Sequence, residues 1–162
     1  MAGTARDIMQ TDIVTVAPLR PVAELQEVLL RHRIHGAPVV EDGRLVGIVS
    51  RSDLVRQMKL EEERIADSAF YFESFDAEEH RDEDHARVLQ AAASRLAKLC
   101  VRDVMIEDLI TIGPDAPIRE IAQVMLERRI QRLLVTEGDE LRGLISSLDL
   151  VRLFANGRAT LV

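Results

Sequence analysis

The chain contains one sequence written twice, and that repetition constrains its fold more than any other feature. Residues 6–56 and 102–152 align without a gap at a constant offset of 96, with 21 of the 51 aligned positions identical. Arg6-Asp7-Ile8-Met9 falls on Arg102-Asp103-Val104-Met105, Pro18 and Pro21 on Pro114 and Pro117, and Arg33-Ile34 on Arg129-Ile130. Gly47, Ser50 and Asp53-Leu54-Val55-Arg56 fall on Gly143, Ser146 and Asp149-Leu150-Val151-Arg152. Many of the other aligned positions exchange one apolar residue for another, as Ile8 for Val104, Leu25 for Ile121 and Val49 for Ile145. A unit of ~50 residues is small for an independent core, so the two copies are expected to pack on each other. Any ligand is then expected in or near the seam between them.

Length and composition set the outer bounds. A chain of 162 residues makes one compact domain or two tightly joined small ones. Hydrophobic content of 47% and charged content of 30% are those of a soluble globular protein. No apolar run approaches the ~18 residues that cross a bilayer, and no apolar signal region follows Met1, which predicts a cytoplasmic protein without a membrane. Cys100 is the single cysteine, which excludes an intrachain disulfide and fits a reducing compartment. The net charge of −7 argues against nucleic-acid duplex binding. Its excess is concentrated in residues 57–101, with six basic and eleven acidic groups, whereas residues 1–56 balance seven against seven.

Each copy reads in the same order. A β-branched strand comes first, Ile13–Val16 or Leu109–Ile112. A Pro-x-x-Pro stretch ends it, and the second proline, Pro21 or Pro117, suits the first position of a helix. That helix carries an apolar stripe at Val22, Leu25, Val28 and Leu29, repeated at Ile118, Ile121, Val124 and Met125. Two strands follow, Ala37–Val40 and Leu45–Val49, joined by Glu41-Asp42-Gly43-Arg44. Their counterparts are Leu133–Thr136 and Leu141–Ile145. A second helix begins near Ser50 or Ser146. This organisation predicts domains at 1–56, 57–101 and 102–162, the middle one an acidic, mostly helical insert. Phe70, Tyr71, Phe72 and Phe75 cluster in that insert and predict a hydrophobic anchor against the repeats or a second subunit.

The polar feature common to both copies is a strand running into Ser-x-x-Asp, as Ser50 to Asp53 and Ser146 to Asp149. Two readings fit it. As a capping box, the pair satisfies orphan N–H groups at a helix N-terminus. As a binding element, the same N–H groups and dipole suit a phosphate, and the carboxylate suits the vicinal diol of a ribose.

The β-α-β-β-α order, Asp-(Ile/Val)-Met, the strand-Pro-x-x-Pro element and the closing Gly-h-h-Ser-x-x-Asp-Leu (h apolar) together resemble a CBS domain, present twice. A tandem pair of this kind is a Bateman module. The resemblance implies an α+β fold with two repeats packed pseudo-symmetrically through their sheets, and clefts holding AMP, ADP, ATP or S-adenosylmethionine. It assigns Asp53 and Asp149 to the ribose, with Ser50 and Ser146 beside them, and Ile13-Val14 and Leu109-Ile110 to the adenine ring. Ala37-Pro38 would line the first cleft, where the second repeat departs from the pattern with Leu133-Leu134. His35, Arg51 and Arg132 are the phosphate candidates. They differ between copies, Ser147 standing where Arg51 stands, so the two clefts are expected to be inequivalent. The resemblance further implies a homodimer, and the insert is expected to extend that dimer or to meet an effector protein.

The remaining histidines carry little. His80 and His85 sit among carboxylates such as Asp84, a pattern expected of a solvated charged face and not of a metal site. There is no nucleophile–base set and no Walker-type glycine loop. A regulatory, adenosyl-ligand-sensing module is expected, not an enzyme; the rival is a CBS scaffold that has lost ligand binding.

Overall fold

The repeated methionine and the repeated glycine answer each other crosswise. In this computed structural model, which describes residues 3–73 and 81–156, the Met9 side chain lies against Gly143 and the Met105 side chain against Gly47. A Cβ on Gly143 would stand 2.5 Å from the Met9 sulfur, and one on Gly47 would stand 2.6 Å from that of Met105. Neither space admits a side chain, so glycine is required at both.

The compact units consequently do not follow the repeat boundaries. One comprises residues 1–15, 40–46 and 108–162; the other comprises residues 16–39 and 47–107. Each therefore joins the body of one repeat to the lead-in of the other.

In the first unit, helix α1 (Ala5–Ile8) is held by backbone bonds from Ala5 N–H to Ala116 O and Arg6 N–H to Pro114 O, at 2.8 and 2.9 Å. A three-stranded sheet of β3 (Thr111–Ile112), β4 (Arg132–Glu137) and β5 (Glu140–Ser146) runs in the order β3-β4-β5. The β3–β4 pair is parallel and β4–β5 antiparallel. Helices α6 (Ile118–Arg128) and α7 (Ser147–Ala155) pack on it. The core consists of Ala5, Ile112, Ile121, Met125, Leu133, Val135 and Ile145, with Ile8 and Met9 packed against it.

The second unit repeats that core at the positions 96 residues away. Val16, Leu25, Leu29, Ala37, Val39, Val49 and Val101 are all buried. Val16 is bridged to Val39, and the others come from helix α2 (Val22–Arg31), strands β1 (Gly36–Glu41) and β2 (Arg44–Ser50), and helix α5 (Val101–Val104). Helix α3 (Arg51–Glu73) starts as the repeat's second helix and runs on into the insert, where it packs on α4 (Arg81–Lys98). Glu61 on α3 is buried there, paired with Arg64 at 2.9 Å and Arg95 at 3.2 Å.

Three expectations need correction. Ile13–Val16 forms no strand; only Val16 is bridged, to Val39. The matching pairing in the other repeat is a two-residue ladder, Thr111 with Leu134 and Ile112 with Val135. Pro38 stands where Leu134 stands and has no N–H, so the ladder cannot be extended through it. Pro21 and Pro117 are N-cap residues, each one position before its helix instead of inside it. The strands also reach one residue further at each end than the apolar runs, because Gly36, Glu41, Arg44 and Ser50 pair through their backbones. Phe75 and His80 lie outside the described residues; for Phe70, Tyr71, Phe72 and His85 only the place on α3 or α4 is described.

Candidate functional site

The same local device recurs at four turns: an aspartate three residues after the residue that precedes a helix. Asp7, Asp53, Asp103 and Asp149 each use Oδ2 to accept the backbone N–H of Thr4, Ser50, Cys100 and Ser146, at 2.7, 2.7, 2.8 and 2.8 Å. The same oxygen accepts the Thr4 hydroxyl at 3.2 Å, the Ser50 and Ser146 hydroxyls at 2.6 Å, and the Cys100 thiol at 3.1 Å. Capping geometry is thus present in both Ser-x-x-Asp copies. At Ser146 it is reciprocal, because Oγ also accepts the Asp149 N–H at 3.3 Å.

Burial separates these four aspartates into two kinds. Asp7 and Asp103 are exposed, whereas Asp53 and Asp149 are 4% and 8% exposed. A buried carboxylate must find partners for its second oxygen as well. Arg56 supplies one to Asp53 Oδ1, and Arg152 one to Asp149 Oδ1 at 3.2 Å, each from the next turn of the helix. Asp149 has a further partner: Gln10 Nε2 straddles the carboxylate, 3.1 Å from Oδ1 and 3.2 Å from Oδ2. Burial alone would raise the Asp149 carboxyl. The Ser146 hydroxyl and N–H, then Gln10 and the Arg152 charge, outweigh it and hold the carboxyl below its usual 3.8.

The residues expected at the second repeat's site gather at one end of the sheet. Leu109 and Ile110 are half-buried and directly precede β3. Arg132 opens β4 opposite Ser146, which closes β5, and α7 starts from there. Parallel β3 and β4 start at the end where antiparallel β5 stops, so apolar, cationic and Ser-x-x-Asp elements share that edge. Arg132 is exposed and within the reach of a solvent-facing anion.

In the first repeat, Ser50 and Asp53 occupy the matching turn, and Ala37 and Pro38 are buried on β1. Gly36 is required beside them, because a Cβ there would sit 2.8 Å from the Val49 carbonyl oxygen. His35 is exposed, and its carbonyl accepts the Arg51 N–H at 2.9 Å. The Arg51 guanidinium turns towards the Leu29 carbonyl, at 3.5 Å, near the end of α2. Ile13 and Val14 belong to the other compact unit. There Ile13 lines a depression of about 200 Å³ with Thr11, Thr15, Val40, Gly43, Leu141 and Arg142. An adjoining depression of about 330 Å³ shares Gly43 and Arg142 but is lined by Asp42, Arg44, Glu137, Asp139 and Glu140. Arg142 pairs with Glu137 and Glu140 at 3.0 and 2.8 Å. That lining is charged apart from Gly43 and unsuited to an apolar ring.

Three partners at these turns lie beyond the residues expected from sequence. Arg56 and Arg152 end the repeated Asp-Leu-Val-Arg, so their spacing of three along a helix could have revealed them. Gln10 had no such signal. It aligns with Ile106, and its partner is 139 residues away.

The family model for the CBS domain matches the chain twice, over residues 5–60 and 101–156. The chain belongs to the CBS-domain family. Its fold is that of a tandem α+β CBS pair. Among solved structures it resembles CBSX2 in complex with AMP (TM-score 0.69, 22% identity, 96% of this chain and 98% of that one). It also resembles the CBS domain pair of protein MJ0100 in complex with 5′-methylthioadenosine and S-adenosyl-L-methionine (TM-score 0.64, 21% identity, 97% and 99%). Among curated proteins it is 29% identical over 146 residues to an inosine-5′-monophosphate dehydrogenase of Korarchaeum cryptofilum, covering 90% of this chain and 23% of that protein. The chain spans 14% to 31% of the first three curated relatives it matches, which carry further segments. Among the described residues, no helix of this CBS pair is long and apolar enough to cross a membrane.

Proposed function

We propose that this CBS pair is a regulatory sensor of an adenosine-containing ligand, with AMP, ADP, ATP and S-adenosylmethionine as the candidate class. The observation that carries the reading is the buried aspartate in each repeat, held by Ser-x-x-Asp at a strand-to-helix turn whose helix N-terminus opens beside it. The adenosyl ligands named for CBSX2 and MJ0100 support it. Asp53 and Asp149 would take the ribose hydroxyls and Ser50 and Ser146 the neighbouring groups. Ile13, Val14, Leu109 and Ile110, with Ala37 and Pro38, would take the adenine. His35, Arg51 and Arg132 would meet phosphate. The ligand acts by binding one conformation of the chain better than another. A cytoplasmic homodimer that reports to an effector protein completes the proposal, with catalysis left to other chains.

A second reading has an observation in its favour. The capping boxes alone account for every Ser50 and Ser146 bond described above, as a scaffold without a ligand requires.

A thermal-shift screen with AMP, ADP, ATP, S-adenosylmethionine and NAD separates the two. A ligand at one hundred times its dissociation constant stabilises the fold by about 2.7 kcal/mol. Asp53→Asn and Asp149→Asn keep an acceptor for the cap but remove the charge. Under the sensor reading the shift shrinks or vanishes in these variants while they melt cooperatively. No shift with any of the five leaves the scaffold.

A further inference from the structure

The two repeats place their buried aspartates in the same backbone frame but not in the same hydrogen-bonding state. Gln10 is bridged to Leu144 by backbone bonds of 2.9 and 3.0 Å, and Ile106 to Ile48 by bonds of 2.8 and 3.0 Å. These are matching positions, offset by 96, so Gln10 and Ile106 are delivered to equivalent places. Isoleucine has no donor. At Asp53 the described donors are three: the Ser50 N–H, the Ser50 hydroxyl and Arg56. At Asp149 they are four: the Ser146 N–H and hydroxyl, Arg152, and Gln10. A carboxylate offers about four lone-pair directions. Asp149 is therefore saturated from within the chain, and Asp53 retains room for one more donor.

We propose that Gln10 is an internal competitor for the ribose diol, so that its carboxamide holds the second repeat's site closed until a ligand displaces it. This rests on the sensor reading above. Both hydroxyls of a vicinal diol must donate to a carboxylate whose directions are already filled. Gln10 is the donor that can leave at least cost: its residue is exposed, whereas the Ser146 bonds cap α7 and the Arg152 bond lies within one helical turn. Among the described residues the Asp53 site has no such competitor, and it fills first. A chain with two adenosyl sites then responds over two concentration ranges, and its low-affinity step is coupled to the lead-in that carries Gln10.

The test is calorimetric titration with AMP on the full chain, with repeat one silenced by Asp53→Asn so that only the second site is read. Adding Gln10→Ile, which installs the residue found at the matching position, is expected to raise AMP affinity about tenfold, the factor equivalent to ~1.4 kcal/mol and near the lower end for a hydrogen bond to a charged group. In the reciprocal pair, Ile106→Gln added to Asp149→Asn is expected to lower AMP affinity at the first site by a similar factor. Melting curves without ligand monitor the fold of each variant. Unchanged or weaker binding on Gln10→Ile overturns the competitor and leaves the sensor standing. Absence of AMP binding in the parent and every variant overturns the competitor, and the sensor reading falls with it when ADP, ATP and S-adenosylmethionine also fail to bind the parent.

Discussion

Asp149 carries three demands at once: it caps a helix, it is buried, and its second oxygen is shared between Gln10 and Arg152. Its carboxyl is held below 3.8, the value it regains on unfolding, so the unfolded state binds its proton first as acid is added. The stability it supplies is complete above that unfolded value and is lost as pH falls through the lower folded one. Asp7 and Asp103 are lowered by their bonds from Thr4 and Cys100 and act in the same direction. Thermal melts from pH 7 to pH 3 should show the parent losing its advantage over Asp149→Asn below about pH 4. Parallel curves for the two proteins would contradict this. At the same scale, the Cβ of Gly143→Ala meets the Met9 sulfur, Cγ and Cβ. Overpacking of this kind costs about 1–3 kcal/mol. Met9→Ala in the same chain should return part of that loss, and a double-mutant cycle with urea midpoints reads the coupling directly. A non-interacting pair, with additive effects, would break the crosswise contact.

Elements were legible where a periodic pattern was long or a turn residue was specific. The stripe through Leu25 and Leu29, repeated at Ile121 and Met125, is buried as its spacing required. The turn Asp42-Gly43 closes the β1–β2 hairpin with both residues at positive φ, 50° and 80°, the pattern of a type I′ turn. The first strand was misjudged because β-propensity describes Ile13–Val16 but says nothing about partners. Pro38, which removes the ladder donor, is 22 residues beyond Val16. Helix ends hold one further surprise in the arginines Arg33 and Arg129, at φ 53° and 54°. A left-handed residue with a side chain costs about 1–2 kcal/mol that glycine avoids. Arg129→Gly is expected to stabilise the fold by up to about 1 kcal/mol, less the entropy glycine adds to the unfolded chain. Destabilisation in a urea melt would show that the arginine side chain contributes more than its backbone conformation costs.

Across the whole molecule, the duplication recurs in the core: seven positions are buried in one unit and their counterparts 96 residues away are buried in the other. What it could not predict was the exchange of lead-ins. Local patterns around Met9 and Gly143 contain no trace of one another, because their contact spans most of the chain. The Gln10 bond to Asp149 was hidden for the same reason. Exchange makes each lead-in part of the other repeat's core, so a chain lacking residues 1–10 loses Ala5, Ile8 and Met9 from the unit built on β3-β4-β5. Full burial of an Ile or Met side chain stabilises by roughly 1.5–3 kcal/mol and of one methyl by about 0.8, and Ile8 and Met9 are half-buried. That truncation should lower the urea midpoint sharply, and resonances of residues 108–156 should broaden or shift before those of residues 16–39. Equal loss in both units would contradict it. The central claim is that the buried aspartates serve a ligand as well as a cap. Its most direct measurement is AMP titration by calorimetry on the parent and on Asp53→Asn/Asp149→Asn. Saturable heat is expected in the parent and none in the double variant, which still melts cooperatively. Saturable AMP binding that survives in the double variant would contradict it, as would a parent that binds none of AMP, ADP, ATP and S-adenosylmethionine.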